Sequence, residues 1–264
     1  MADKKPRILV SNDDGYFSEG LRSLVEAVSP LGEVWVVAPD REQSAASHSI
    51  SLNRPLRITE VREHWFAVDG TPADSAYLAI HHLMKDDRPR IMVSGINHGA
   101  NLADDVNYSG TVAAAREAAF MGIPSIAFSL VSRPPFDFQY AARFARSLVA
   151  AALAQPQLPP RMLLSVNVPR GEPTGYSVTQ LGRHSYGYDV VEKEDPRGRK
   201  YYWIGGSAYE YEDIPGSDCN AVHLDRRISV TPLHFELTDR RVMGELTGWS
   251  LEGFTRFDMA RGGD

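Results

Sequence analysis

Ile8-Leu9-Val10-Ser11-Asn12-Asp13-Asp14-Gly15 is the stretch on which the fold turns. A short apolar run that stops abruptly at polar turn residues reads as a strand buried on both faces. Just beyond it, Leu21, Leu24, Val25 and Val28 recur at helical spacing, which predicts a helix over Glu19–Val28. The same alternation continues outward. Strands are predicted at Ile8–Ser11, Val34–Ala38, Ile91–Ser94, Ser125–Ser129 and Leu163–Val168. Helices are predicted at Ala73–Met84, Thr111–Met121 and Phe138–Leu153, the last with Ala141, Phe144, Ala145, Leu148, Val149 and Ala152 on one face. Strand and helix in turn argue for an α/β fold, a mostly parallel sheet flanked by helices.

Two regions depart from this order. Leu52, Leu56, Ile58 and Val61 suggest an antiparallel side element between Ser51 and Val68. After Gly171, tyrosines, glycines and charges mix through Tyr186–Tyr211, with a hairpin centred on Asp195-Pro196-Arg197-Gly198 and a late strand at Ile228–Thr231. The whole of residues 1–264 reads as a single α/β domain, with a core over residues 7–170 and a C-terminal hairpin and tail over 171–264.

Composition narrows the partners. The 264 residues carry 28 basic and 34 acidic side chains, a net charge of −6 that offers no field to a polyanion, so large nucleic acid is excluded while small anions are not. Cys219 is the only cysteine, which removes disulfide frameworks and multi-thiolate metal sites and fits a reducing, cytoplasmic setting. No apolar run approaches the ~18 residues that span a bilayer, so no membrane role is expected. The apolar run after Met-Ala-Asp-Lys-Lys-Pro is too short and polar for a signal peptide.

In an open parallel sheet, ligands bind beyond the carboxyl ends of the strands. After the first strand comes Asn12-Asp13-Asp14-Gly15; after the second, Pro39-Asp40-Arg41-Glu42-Gln43-Ser44; after the strand at Ile91–Ser94, a loop Gly95-Ile96-Asn97-His98-Gly99-Ala100-Asn101. Adjacent carboxylates repel unless a cation or separate donors hold them. Alone, Asp13-Asp14-Gly15 is a polar turn, but with Ser44 and Asn97 at the same edge it becomes an oxygen-donor set suited to one Mg²⁺ or Mn²⁺. His48 and His98 keep a zinc alternative open. Ser109-Gly110-Thr111 ahead of a helix is by itself an ordinary cap, and beside a cation it becomes a phosphate cradle. Together these predict metal-assisted hydrolysis of a phosphomonoester.

Other features read as structure. Thr71-Pro72-Ala73-Asp74 resembles a helix start, with Thr71 as cap and Pro72 at the first position. His81 and His82, adjacent on a helix, make a poor metal pair, and Arg197, Arg199 and Lys200 form a solvated hairpin face. Neither a G-x-G-x-x-G after the first strand nor a Walker loop is present, which weakens dinucleotide and NTPase readings.

The blocks Ile8–Gly15, Val37-Ala38-Pro39-Asp40-Arg41 with Ser44, Gly70–Asp74, Val93-Ser94-Gly95-Ile96-Asn97 with Gly99 and Asn101, Tyr108–Ala115, and Ile228-Ser229-Val230-Thr231-Pro232-Leu233 resemble the stationary-phase survival protein family, SurE. The resemblance runs in order over residues 7–233. It implies a Rossmann-like core and a metal-dependent nucleotidase that cleaves nucleoside 5′- or 3′-monophosphates, with short polyphosphate as a further substrate. It also implies a homodimer or homotetramer built by exchange of the C-terminal hairpin or tail. By motif, Asp13, Asp14, Ser44 and Asn97 correspond to the metal ligands, and Ser109-Gly110-Thr111 to the phosphate-contacting segment.

The expected chemistry is direct attack by metal-activated water, with Asp13, Asp14 and Asn97 as the catalytic residues and Asp14 the candidate acid/base. Asn12, Gly95 and Asn101 are assigned to shaping the phosphate site, with Ser109, Gly110 and Thr111 contacting the anion. Two departures from the family pattern stand out. Ala45 follows the ligand serine where a glycine is usual, so a positive φ there would shift the loop. Phe17-Ser18-Glu19 replaces small or proline residues after the turn and alters the pocket. Competing readings are an aspartyl-phosphate phosphatase and a non-catalytic nucleotide-sensing module.

Overall fold

The computed structural model describes residues 5–185, 190–204 and 210–255. Parts of the predicted Tyr186–Tyr211 region and the end of the C-terminal tail lie outside the described residues. The chain divides into two compact units, Met1–Leu233 and His234–Asp264.

The first unit is built on a nine-stranded sheet. Its strands are β1 (Arg7–Ser11), β2 (Glu33–Pro39), β3 (Ile58–Arg62), β4 (Trp65–Val68), β5 (Ile91–His98), β6 (Ser125–Val131), β7 (Leu163–Pro169), β8 (Tyr176–Val178) and β13 (Ile228–Pro232). The order is β3-β4-β2-β1-β5-β6-β7-β13-β8. From β4 to β7 the neighbours are parallel; β3 is antiparallel to β4, and β13 antiparallel to β7. The predicted side element is therefore the β3–β4 ribbon, whose second strand joins the edge of β2. The two-stranded ribbons β9 (His184–Ser185) with β12 (Glu210–Tyr211), and β10 (Val190–Glu194) with β11 (Lys200–Ile204), follow. The second is the predicted hairpin around Asp195–Gly198, with Asp195 accepting from the backbone N–H groups of Arg197 and Arg199.

Helices cover both faces. On one, α1 (Glu19–Val28) packs against α4 (Gln139–Leu153). Leu21, Leu24 and Val28 of the first and Ala141, Ala145 and Val149 of the second are buried. Each large aliphatic side chain sequestered there contributes about 1.5–3 kcal/mol. On the other face, α2 (Pro72–Leu78) packs on α3 (Gly110–Phe120). Six of the eight buried residues of α3 are alanine or glycine, which lets it lie close to both the sheet and α2. Thr71 and Asp74 form a reciprocal capping box at the start of α2, in line with the helix-start reading of Thr71–Asp74. The segment carrying His81 and His82 is a π-helical turn over Ala79–Leu83 that ends the predicted Ala73–Met84 helix. The short α5 (Asp218–His223) precedes β13.

One prediction is corrected. Gly95–His98 is not a loop after the third strand; β5 continues through it, pairing Asn97 with Ser129 after a register shift. The glycine permits this, because a Cβ at Gly95 would lie 2.3 Å from the carbonyl oxygen of Phe128. In the second unit, α6 (Arg240–Leu246) is capped by Asp239, which accepts from the backbone of Arg241 and Val242.

Candidate metal and phosphate site

The sheet order reverses direction between β1 and β5: the chain leaves β1 for β2 on one side and returns to β5 on the other. A crevice at such a switch point is where open α/β sheets bind ligands. Here it is a cleft of about 650 Å³ lined by Asp13 and Asp14 beyond β1, Ser44 beyond β2, Asn97 in β5 and Ser109 at the start of α3. The fold therefore brings together segments that are far apart in sequence.

Asp13 is the most constrained of these groups. It is buried, and α3 aims its first turn at it: the Thr111 hydroxyl and backbone N–H both donate to its carboxylate. Gly110 makes the approach possible, since a Cβ there would lie 2.7 Å from Asp13 Cβ. Burial pushes the Asp13 carboxyl up to about 6; the Thr111 bonds oppose that rise and the neighbouring charge of Asp14 adds to it. The Thr111 hydroxyl also lies 3.4 Å from Asn97 Oδ1, so it spans two of the proposed ligands. Asn97 Nδ2 donates to the Gly99 carbonyl, which leaves Oδ1 as the oxygen turned to Thr111.

Asp14 uses one oxygen differently. Its Oδ1 lies 3.0 Å from His98 Nδ1, and that bond holds the His98 pKa above the ordinary imidazole value against the opposing effect of burial. The imidazole rests against Phe136 and Phe138. Asp14 Oδ2 is buried without a hydrogen-bond partner among the described residues. An orphaned carboxylate oxygen beside a second carboxylate is costly unless a cation meets it. This donor set, two carboxylates with neutral Asn and Ser oxygens, suits a hard divalent cation. Among the described residues no group of three or more His, Cys, Asp and Glu converges as a metal site. His48, half of the zinc alternative, instead pairs with Glu117 of α3 at 2.6 Å and stacks on Phe120.

The loop after β2 is pinned at both ends of its turn. Gln43 N–H donates to the Asp13 carbonyl, and Ser47 donates through its backbone to Tyr108 and through its hydroxyl to Asn107. Ser44 lines the cleft, its hydroxyl donating to Glu42 at 2.7 Å. Ala45 does adopt the left-handed conformation, φ +56°, that the usual glycine would take freely. A residue with a Cβ carries strain of about 1 kcal/mol in that conformation.

The remaining predicted residues take varied positions. Asn12 braces the turn: its Nδ2 donates to the Gly15 carbonyl and to the hydroxyl of Ser18, the cap of α1. Gly95 serves the packing of β5 on β6. Asn101 lines the cleft, with its side chain donating to Ser129 and its backbone N–H to Asn167. Ser109 caps α3 through Val112 N–H. The Thr111 hydroxyl, expected at the anion, donates to the Asp13 carboxylate.

Sequence reasoning underrated His98, whose adjacency to Asn97 was the available signal. It also left out Phe136, which lines the same cleft with Phe17 and Tyr108.

The chain is similar to known proteins over most of its length. Residues 8–188 match the family model described as Survival protein SurE. The chain is 74% identical over 259 residues to the 5′-nucleotidase SurE of Myxococcus xanthus (strain DK1622), covering 98% of each chain. It is 56% identical over 251 residues to the 5′-nucleotidase SurE of Anaeromyxobacter dehalogenans (strain 2CP-C), covering 95% of this chain and 98% of that one. Its fold superposes on the crystal structure of the SurE protein from Aquifex aeolicus with a TM-score of 0.81 at 40% identity, over 92% of this chain and 98% of the other. With the switch-point cleft, the motif blocks and near full-length similarity all in agreement, the chain belongs to the SurE family.

Proposed function

We propose that this chain is a metal-dependent phosphomonoesterase that hydrolyses nucleoside monophosphates to nucleoside and phosphate. The observation that carries the reading is the pair Asp13–Asp14 at the switch point, one carboxylate buried against the N-terminus of α3 and the other with an orphaned oxygen. The names of the Myxococcus and Anaeromyxobacter relatives support the substrate class.

Asp13, Asp14 and Asn97, with Ser44 from the loop, would hold one Mg²⁺ or Mn²⁺. When bound, such a cation supplies neutralisation of the phosphoryl oxygens and an acidified water for attack on phosphorus. Ser109 and Gly110 at the start of α3 orient the anion through the positive end of the helix. Asp14 serves as acid/base with His98 as its proton store at Nδ1. Asp13, committed to Thr111, is a poor nucleophile, which favours direct attack by water over an aspartyl-phosphate. Short polyphosphate fits the same chemistry. The exposed Tyr202 and Trp203 of the β10–β11 hairpin support its use in a homodimer or homotetramer.

The test is phosphate release from a panel of nucleoside 5′- and 3′-monophosphates and short polyphosphate, each with Mg²⁺, Mn²⁺ and Zn²⁺. Metal-dependent release from the nucleotides is expected. Tight nucleotide binding without any release would replace the enzyme with a sensing module. Single-turnover reactions in ¹⁸O-labelled water should label only phosphate, and label in an aspartate would overturn direct attack.

A further inference from the structure

The cleft has two chemistries. Asp13, Asp14 and Asn97 supply polar atoms at the strand ends, while Phe17, Tyr108 and Phe136 contribute aromatic rings to the same lining. Phe17 and Tyr108 are 51% and 62% exposed. Burial of a ring that size is a large gain, so two open rings beside a polar site call for an account.

Phe17 is the more telling of the two. It stands two residues beyond the Asp13-Asp14-Gly15 turn, and its ring folds over that turn: a Cβ at Gly15 would lie 3.1 Å from Phe17 Cε1. It precedes Ser18, the cap of α1. An apolar residue there ordinarily packs on the fourth helical position, but that position is the exposed Arg22, so no hydrophobic staple explains the ring. Its aromatic neighbour is Tyr16, met nearly edge-on at 5.5 Å. The ring is held in place by the metal-site turn and still open.

We propose that Phe17 is the platform on which the nucleobase of the substrate stacks, so that it sets the preference for nucleotides over simpler phosphomonoesters. The inference rests on the nucleotidase reading and names the part of the site that recognises the nucleoside. A phosphate group needs no apolar surface; a purine or pyrimidine does. Stacking accepts every base because each has a π-face, so Phe17 selects for the presence of a base and not for its identity.

The experiment compares AMP with ribose 5-phosphate, which keeps sugar and phosphate and lacks the base. Steady-state kinetics are measured for the full chain and for Phe17→Ala and Phe17→Trp with Mn²⁺, and both compounds are titrated calorimetrically with Ca²⁺ in its place. For Phe17→Ala, KM and Kd for AMP should rise roughly 5- to 150-fold, the range of base–aromatic stacking, with the ribose 5-phosphate constants unchanged. Phe17→Trp should restore AMP. Equal losses for both compounds would overturn the proposal, because Phe17 would then merely support the metal-site turn. Unchanged AMP constants would overturn it as well. A wild-type chain that turns over neither compound would remove the nucleotidase reading alone, and the calorimetric difference would still decide the platform.

Discussion

Thr111 and Asp13, 98 residues apart, are joined by two hydrogen bonds at one point: the hydroxyl and backbone N–H of Thr111 both donate to the Asp13 carboxylate. The N-terminus of α3 therefore acts first on a protein carboxylate, which it orients and partly stabilises in its charged form. Thr111→Val, which keeps the shape and removes the hydroxyl, should lower divalent-metal affinity and kcat/KM by about 10- to 100-fold, while Thr111→Ser retains most of both. Calorimetric Mn²⁺ titration with parallel kinetics checks this. A fully active Thr111→Val would mean that the backbone N–H alone positions Asp13.

Asp13 also makes the metal-free fold pH-dependent. Its folded pKa, about 6, lies above the ordinary 3.8, so the folded chain retains a proton that the unfolded chain has released. Stability from this group is complete below the ordinary value and is lost as pH rises through the folded one. The cost of ionising Asp13 approaches about 3 kcal/mol above neutrality. Asp13→Asn should therefore abolish turnover yet stabilise the chelator-treated protein at about pH 8, with the gain shrinking towards about pH 4. Urea unfolding across that range measures it; a destabilised Asp13→Asn at the alkaline end would contradict the assigned burial penalty.

Ala45 carries a different strain. Its φ of +56° is unfavourable for any residue with a Cβ. Ala45→Gly should raise stability by about 1 kcal/mol without loss of activity, because the loop already follows the path that glycine prefers. A thermal melt of the two proteins would settle the sign, and a lower melting temperature would show the unfolded-state entropy of glycine to be the larger effect.

Asp218 ties the segment leading into β9 to the wall of the cleft. It is buried, and it accepts from the backbone N–H groups of Ala103 at 2.9 Å, Gly182 at 2.7 Å and Cys219 at 2.8 Å. Asp218→Ala leaves three buried donors unmet and should cost at least about 3 kcal/mol, with Asp218→Asn between it and the wild type. Chemical denaturation gives the comparison, and near-wild-type stability in Asp218→Ala would mean that other acceptors replace the carboxylate.

Much of this molecule is a local property of the sequence. The spacing of Leu21, Leu24 and Val28 suffices for α1, and the short apolar runs suffice for β1, β2, β6 and β7, because period and residue type act over a few residues. The rule that parallel sheets bind ligands at strand ends then locates Asp13, Asp14 and Ser44 without coordinates. Other features were decided only when distant elements met. Gly95 continues β5 because β6 brings Phe128 against it, and Thr111 serves Asp13 because α3 is packed against the end of β1. His98 gains its role from Asp14, and Ala45 takes its φ within a loop anchored to Asp13 and Asn107. A side chain's chemical type is written in the sequence. The direction of its hydrogen bond depends on where packing places its partner, and that is settled by the tertiary structure.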